Sequence, residues 1–378
     1  MSRSYDHGGN VFTAARSLGV APDQVIDFSA SINPLGMSSG VRNALIGSLD
    51  NLIHYPDTSH NELKQALGKF HDLSPAHFTI ANGSTELIYN LPSLLPGKKA
   101  LIISPSFSEY VKALNQHHWD VQHFILTPEN NFSIDIDKLE RALAGGVDAL
   151  FICNPGNPSG KLYPERTMEK IRTLCLSAGT FLVLDEAFMD FCEEASAKRM
   201  IAQSENAILL RSMTKFFGIP GLRLGYAVSN VPLAERLDSM GGPWRVNSLA
   251  LAAGAAALQD VRHNQESLEF IRQERRALID GLANFSQFRL YPSSVNYLLV
   301  EIVEGMTSGE LRERLLPYRI LIRDCASFVG LSDRFFRVAV RTGDENKRLL
   351  ECLESVLKLY AGGDPLRSAH VGTCTSAI

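Results

Sequence analysis

Arg211-Ser-Met-Thr-Lys-Phe-Phe-Gly-Ile-Pro-Gly-Leu-Arg-Leu-Gly-Tyr226 sets one lysine, Lys215, beside two small hydroxyls and ahead of a glycine-rich turn. An apolar run, Ala207 to Leu210, leads into it and predicts a buried strand. Ser212 and Thr214 lie next to the lysine. Gly221, Arg223 and Gly225 follow a Pro-Gly break. Such a lysine suits a Schiff base to a phosphorylated aldehyde. The amine bonds the aldehyde carbon, while the hydroxyls and Arg223 hold the phosphate. The same residues would also serve an ordinary surface turn, so the surrounding chain has to decide.

Working outward, residues 77 to 228 alternate strands with helices. Strands are predicted over His77–Ala81, Ala100–Ser104, Val121–Leu126, Ala149–Cys153, Phe181–Leu184, Ala207–Leu210 and Leu224–Val228. Helices are expected over Glu86–Leu94, Ile134–Leu143 and Glu165–Ala178. This order predicts an α/β fold with a largely parallel, doubly wound sheet and helices on both faces. Ligands of such sheets sit beyond the carboxyl ends of the strands. Asn157, in Asn154-Pro-Gly-Asn-Pro-Ser-Gly160, follows one strand end. Asp185, in Asp185-Glu-Ala-Phe188, follows the next, and Lys215 a third. Asn82-Gly-Ser-Thr-Glu86 opens a helix whose N-terminal N–H groups could meet an anion, as any turn before a helix could.

The flanking chain is less regular. His7-Gly-Gly-Asn10 reads either as a ligand-facing loop or as a flexible terminus. Asp27-Phe-Ser-Ala-Ser-Ile-Asn-Pro-Leu-Gly36 is extended, and His54-Tyr-Pro-Asp57 is a Pro-marked loop before a helix from about Asn61 to Phe70. Leu233–Met240 and Leu249–Leu282 look helical. Beyond them come short strands at Leu290–Tyr291, Tyr297–Ile302, Ile320–Ile322 and Phe336–Val340, with helices Ser308–Leu315 and Glu345–Leu359. These form a smaller α+β unit. The division expected is 1–40 as an N-terminal segment joined to the small domain, 41–270 as the large domain, 271–361 as the small domain and 362–378 as a loose tail.

The 378 residues are 45% apolar and 21% charged, with a formal net charge of −4, which suits an ordinary globular enzyme. No basic run argues for nucleic acid. Nothing in the first residues reads as a signal peptide, and no apolar stretch is long enough for a bilayer. Six scattered cysteines without a CxxC pair fit reduced thiols in a cytoplasm. His117-His118 lacks metal-ligand spacing, so no metal is expected.

Together, the Lys215 stretch, Asp185-Glu-Ala-Phe188 and Asn154-to-Gly160 resemble the fold-type I pyridoxal-phosphate enzymes. The branch acting on histidinol phosphate is similar over nearly the whole chain. The threonine-phosphate decarboxylases of cobalamin biosynthesis are closer. His7-Gly-Gly-Asn, the Asp27-to-Gly36 stretch and Pro243-Trp-Arg-Val-Asn247 resemble those in particular. The resemblance implies pyridoxal 5'-phosphate on Lys215, with Asp185 at the pyridine nitrogen, Asn157 at the ring hydroxyl and Phe107 stacked on the ring. It gives the cofactor phosphate to Ser84, Thr85, Ser212, Thr214 and Arg223, with Tyr55 from a neighbouring subunit, hence a homodimer. It gives the substrate carboxylate to Arg337, and the substrate phosphate to Arg323, His7 and Asn33.

Two positions depart from the aminotransferase pattern. Phe188 stands where histidinol-phosphate aminotransferases usually carry Tyr, and Arg341 where they tend to have Gly. Phe188 could simply pack, and Arg341 could simply pair with an acid such as Asp344. The implied reaction is decarboxylation of L-threonine O-3-phosphate. The rivals are a histidinol-phosphate or aromatic aminotransferase, and a catalytically silent sensor on the same fold.

Overall fold

The computed structural model describes residues 7–361. The expected tail, 362–378, and Cys374 lie outside the described residues. Thirteen strands are present: β1 (Ile26–Asp27), β2 (Phe78–Ala81), β3 (Lys99–Ser104), β4 (Asp120–Ile125), β5 (Ala149–Cys153), β6 (Phe181–Asp185), β7 (Ala207–Ser212), β8 (Gly225–Val228), β9 (Phe288–Leu290), β10 (Tyr297–Ile302), β11 (Ile320–Leu321), β12 (Arg323–Asp324) and β13 (Phe335–Ala339). Seven of them make one sheet in the order β2-β8-β7-β6-β5-β3-β4. Neighbours are parallel except at β8, which runs antiparallel to both β7 and β2. This is the mostly parallel α/β sheet that the alternation predicts.

The central strands are buried along their whole length. Helices cover both faces, so these strands carry apolar residues without a polar side. Alternate positions feed two separate cores. Leu150, Ile152, Leu182, Leu184 and Leu209 join one, while Ala149, Phe151, Phe181, Val183, Ile208 and Leu210 join the other. Arg211 breaks this rule. Its side chain is fully buried, it pairs with Glu193, and it lies 3.9 Å from Glu186 and 3.8 Å from Asp190. A buried guanidinium is tolerable only with such partners. The cluster ties the chain just after β6 to β7, under the strand ends that carry Asp185 and Lys215.

A second, antiparallel sheet has the order β12-β13-β10-β9. The N-terminal segment is sewn to this part of the chain. β1 pairs in parallel with β11, and the amide of Ala339 donates to the carbonyl of Phe28 at 2.8 Å.

The structure corrects the sequence reading in three places. The single long helix from Leu249 is two helices, Ser248–Gln259 and Val261–Leu282, broken at Asp260. The Asp260 carboxylate caps the second, accepting from the amide of His263 at 3.2 Å. The expected strand at 320–322 is divided, because Ile320–Leu321 pairs with β1 and Arg323–Asp324 pairs with β13. Two helices precede Asn61 unannounced, Val11–Leu18 and Ser39–Gly47. Among the described residues no helix is long and apolar enough to cross a membrane, and Cys153, Cys175, Cys192, Cys325 and Cys352 are buried free thiols.

Candidate active site

A cavity of about 790 Å³ opens beyond the carboxyl ends of β5, β6 and β7. Strand geometry delivers its central groups. β6 ends in Asp185, fully withdrawn from solvent. Its Oδ1 accepts the amide of Ala187 at 2.9 Å and its Oδ2 accepts the Tyr110 hydroxyl at 2.5 Å. Burial pushes the Asp185 carboxyl above its ordinary value, against the opposing pull of Tyr110, the Ala187 amide and Lys215. A carboxylate held this way is completed by a cation.

β7 delivers Lys215. Its Nζ donates to Thr214 Oγ1 at 2.7 Å and lies 3.5 Å from Ser212 Oγ, and those two hydroxyls bond each other at 2.8 Å. Burial, with help from Arg223 and Arg337 and against Asp185, pulls the amine down to about 8. Below that pH the amine is mostly charged, and above it mostly neutral and nucleophilic. The rate at which cofactor-free protein captures an aldehyde at Lys215 should therefore climb between pH 6 and pH 8 and level off above. Stopped-flow absorbance with added pyridoxal 5'-phosphate measures this; a rate still rising tenfold per unit past pH 9 would contradict it.

A third wall is made for an anion. The helix Ser84–Leu94 starts at Gly83, which has φ +82° and no side chain to cap the turn. A Cβ at Gly83 would stand 2.7 Å from Nη2 of Arg223. The positive φ favours glycine here, and any side chain would push the guanidinium end away from the helix N-terminus. Ser84, Thr85 and Arg223 all face the cavity, and the helix end adds its partial positive charge. Arg223 itself has a left-handed backbone (φ +59°) and donates Nη1 to the carbonyl of Pro220 at 3.1 Å.

The small-domain side supplies more cations. Arg337 is buried under the cavity floor, 4.7 Å from the Tyr297 ring. Its Nη1 donates to Asn157 Oδ1 at 2.5 Å and its Nη2 to the carbonyl of Ser29 at 3.0 Å. Its Nε meets no partner among the described residues. Arg323 lines the cavity, reaching Ser327 Oγ at 3.2 Å. Arg341 lines it too, and its acid partner is Glu345 at 2.7 Å rather than Asp344. Phe107 faces the cavity between His7 (ring centroids 5.7 Å apart) and Tyr110 (5.8 Å). Phe188 packs edge-on against Tyr297 at 4.9 Å.

Two expected residues fall elsewhere. Asn33 is buried away from the cavity: its amide nitrogen donates to the carbonyl of Phe216 and to Ser267 Oγ, both at 2.8 Å, and its oxygen accepts the amide of Leu35. With both ends used, it cannot meet a substrate phosphate and instead ties the N-terminal segment to the chain after Lys215. Tyr55 is also remote from the cavity of its own chain, 76% exposed and stacked on Trp244 at 4.3 Å. Conversely, Tyr110 and Glu109 reach the site without having been singled out. Their signal was the helical step from Phe107, which puts Tyr110 one turn away.

The model of the aminotransferase class I and II family matches residues 23–353, most of the chain. The chain belongs to that family. As an aminotransferase class I and II protein it is 40% identical over 361 residues to the threonine-phosphate decarboxylase of Salmonella typhimurium, covering 95% of this chain and 98% of that one. Among solved structures it resembles the histidinol-phosphate aminotransferase of Clostridium acetobutylicum (TM-score 0.83, 30% identity, 88% of this chain and 99% of that one). It also resembles the L-threonine-O-3-phosphate decarboxylase of Porphyromonas gingivalis (TM-score 0.78, 26% identity, 88% and 100%). Enzymes of the aminotransferase class I and II family use pyridoxal 5'-phosphate. The residues here fit that group. There is a half-buried amine for its aldehyde, a buried carboxylate for its ring nitrogen, and a helix N-terminus beside a guanidinium for its phosphate.

Proposed function

We propose that this chain removes carbon dioxide from L-threonine O-3-phosphate, giving (R)-1-amino-2-propanol O-2-phosphate for cobalamin biosynthesis. The observation that carries this reading is the cavity wall, where Arg323, Arg337 and Arg341 stand in one cavity with the amine of Lys215. Such a wall suits a small amino acid bearing both a carboxylate and a phosphate. The full-length similarity to the Salmonella enzyme supports the same substrate.

In this reading the cofactor, when bound, supplies the electron sink for the breaking bond. Asp185 stabilises positive charge at its ring nitrogen, Phe107 stacks on its face, and Asn157 meets its ring hydroxyl. Ser84, Thr85, Ser212, Thr214 and Arg223 hold its phosphate. Lys215 would hold the cofactor aldehyde until the substrate amine replaces it, and its freed amine, carrying a proton, would be the donor that the carbon needs once carbon dioxide has left. Arg337 grips the carboxylate, and its buried Nε is a donor ready for that anion. In this reading the N-terminal segment up to residue 40, described from residue 7, and residues 271–361 make the small domain that carries the substrate groups, and 41–270 the large domain that carries the cofactor. A second copy of the chain covers the exposed apolar strip of Leu52, Ile53, Tyr55 and Trp244 and receives Tyr55 at its own cofactor phosphate.

The test is direct. Purified protein loaded with pyridoxal 5'-phosphate should release carbon dioxide from L-threonine O-3-phosphate with no 2-oxo acid present. Glutamate formed from 2-oxoglutarate and histidinol phosphate, without carbon dioxide release, would establish the aminotransferase instead. Arg337→Ala should lower kcat/KM roughly 10- to 150-fold, the worth of a charge-assisted hydrogen bond of about 1.5–3 kcal/mol. Lysine should not restore it, since the fork geometry is lost. Steady-state rates on both variants check this.

A further inference from the structure

The cavity that is to receive an anion carries a carboxylate at its mouth. Glu109 lines it, at the start of the helix Glu109–Gln116. Its side chain is held from three sides. Tyr89 donates its hydroxyl to Oε2 at 2.5 Å, Lys112 reaches Oε1 at 2.8 Å, and Nε2 of His7 meets Oε1 at 2.8 Å. Burial works to raise the Glu109 carboxyl, but Lys112, Tyr89 and His7 outweigh it and hold it below its ordinary value. Glu109 is therefore an anion fixed in place, with its charge balanced on the side away from the cavity by Lys112.

His7 comes from the other side of the mouth. It opens the N-terminal segment, which is pinned to the small-domain side rather than to the helix of Glu109. The amide of Gly9 donates to Ser29 Oγ at 2.8 Å. A Cβ at Gly8 would stand 2.1 Å from the carbonyl oxygen of Ser29, so the chain passes there with no room for a side chain. His7 faces the cavity along with Arg323, and both also line a small adjoining recess. The bond from His7 to Glu109 therefore spans the mouth and joins two parts of the fold 102 residues apart in sequence.

We propose that Glu109 is the positioning residue for His7: by accepting a hydrogen bond from Nε2 it fixes the imidazole plane across the mouth and leaves Nδ1 to face the phosphate of the substrate. This rests on the reading of His7 as a phosphate-binding group. A carboxylate behind a histidine orients the ring and aims its other nitrogen in the same way at other anion and metal sites. Glu109 itself stays off the substrate, being tethered to Tyr89 and Lys112.

The test uses the holoenzyme and O-phosphoethanolamine, which carries the amine and the phosphate but no carboxylate to lose. Calorimetric titration of the wild type, Glu109→Gln, His7→Ala and the double variant gives four dissociation constants. Each single change should weaken binding roughly 10-fold, and the double variant should be no weaker than His7→Ala alone, because Glu109 acts through His7. Before ligand is added, the cofactor absorbance spectrum should be the same in all four proteins. Tight binding that Glu109→Gln leaves unaltered overturns the proposal while leaving the decarboxylase reading intact. Effects that multiply in the double variant also overturn it. A wild type that does not bind the phosphoamine at all overturns both.

Discussion

Lys215→Ala should lower decarboxylation by roughly four orders of magnitude or more, the scale on which loss of a principal catalytic group is felt. The structure gives this lysine a role no neighbour can take over. Its Nζ is enclosed, it is held at 2.7 Å from Thr214 Oγ1, and burial has brought it down to about 8. Arg223 and Arg337, the neighbouring cations, offer guanidinium groups, which do not take the place of a primary amine at an aldehyde. The proposed phosphate cradle at Gly83, Ser84, Thr85 and Arg223 is untouched by the change. The variant should therefore still take up pyridoxal 5'-phosphate, but reversibly. Borohydride followed by dialysis should leave the wild type carrying cofactor and the variant colourless. Carbon dioxide release within tenfold of wild type would remove Lys215 from the chemistry.

Asp185→Asn should lower kcat by roughly 10²- to 10⁴-fold, the range seen for groups that act on charge in the transition state, with far less effect on cofactor uptake. Asparagine fills the same volume and can still accept from the Ala187 amide through its one oxygen, as Asp185 Oδ1 does at 2.9 Å, while its NH2 would donate to the Tyr110 hydroxyl that Oδ2 accepts from at 2.5 Å. What it cannot do is balance a cation. The carboxyl is pushed up by burial and sits where a positive ring nitrogen would draw it back into its ionised form. Single-turnover rates together with the absorbance maximum of the loaded protein check this. A change of less than tenfold in kcat would mean that the charge at Asp185 is idle.

How much of this was legible in the chain depends on how local the signal is. The strands that end in Cys153, Asp185 and Ser212 announce themselves, because they are short apolar runs stopped by Asn-Pro, by an acid or by a hydroxyl-lysine pair. The cofactor side of the site follows from those ends. The break at Asp260 was hidden by continuous helical periodicity on both sides, although Asp followed three residues later by His263 is a capping pattern. The division at Ile322 could not be read locally, since one extended run serves two sheets. Asn33 looks like any other exposed Asn before a proline; only the fold reveals that Phe216 and Ser267 claim its amide. Arg211 and its three acids were invisible for the same reason, being joined through space.

The reversal of β8 has a consequence for how the molecule can move. A chain leaving β7 for another parallel neighbour would need a crossover of a dozen residues or more. Here the antiparallel return brings Arg223 back to the rim only eight positions after Lys215. Lys215 and Arg223, the proposed nucleophile and phosphate clasp, thus ride on a single hairpin anchored at both stems. Arg337 and His7 belong to neither strand of that hairpin, so a movement on their side of the cavity would leave the spacing of Lys215 and Arg223 to the hairpin alone.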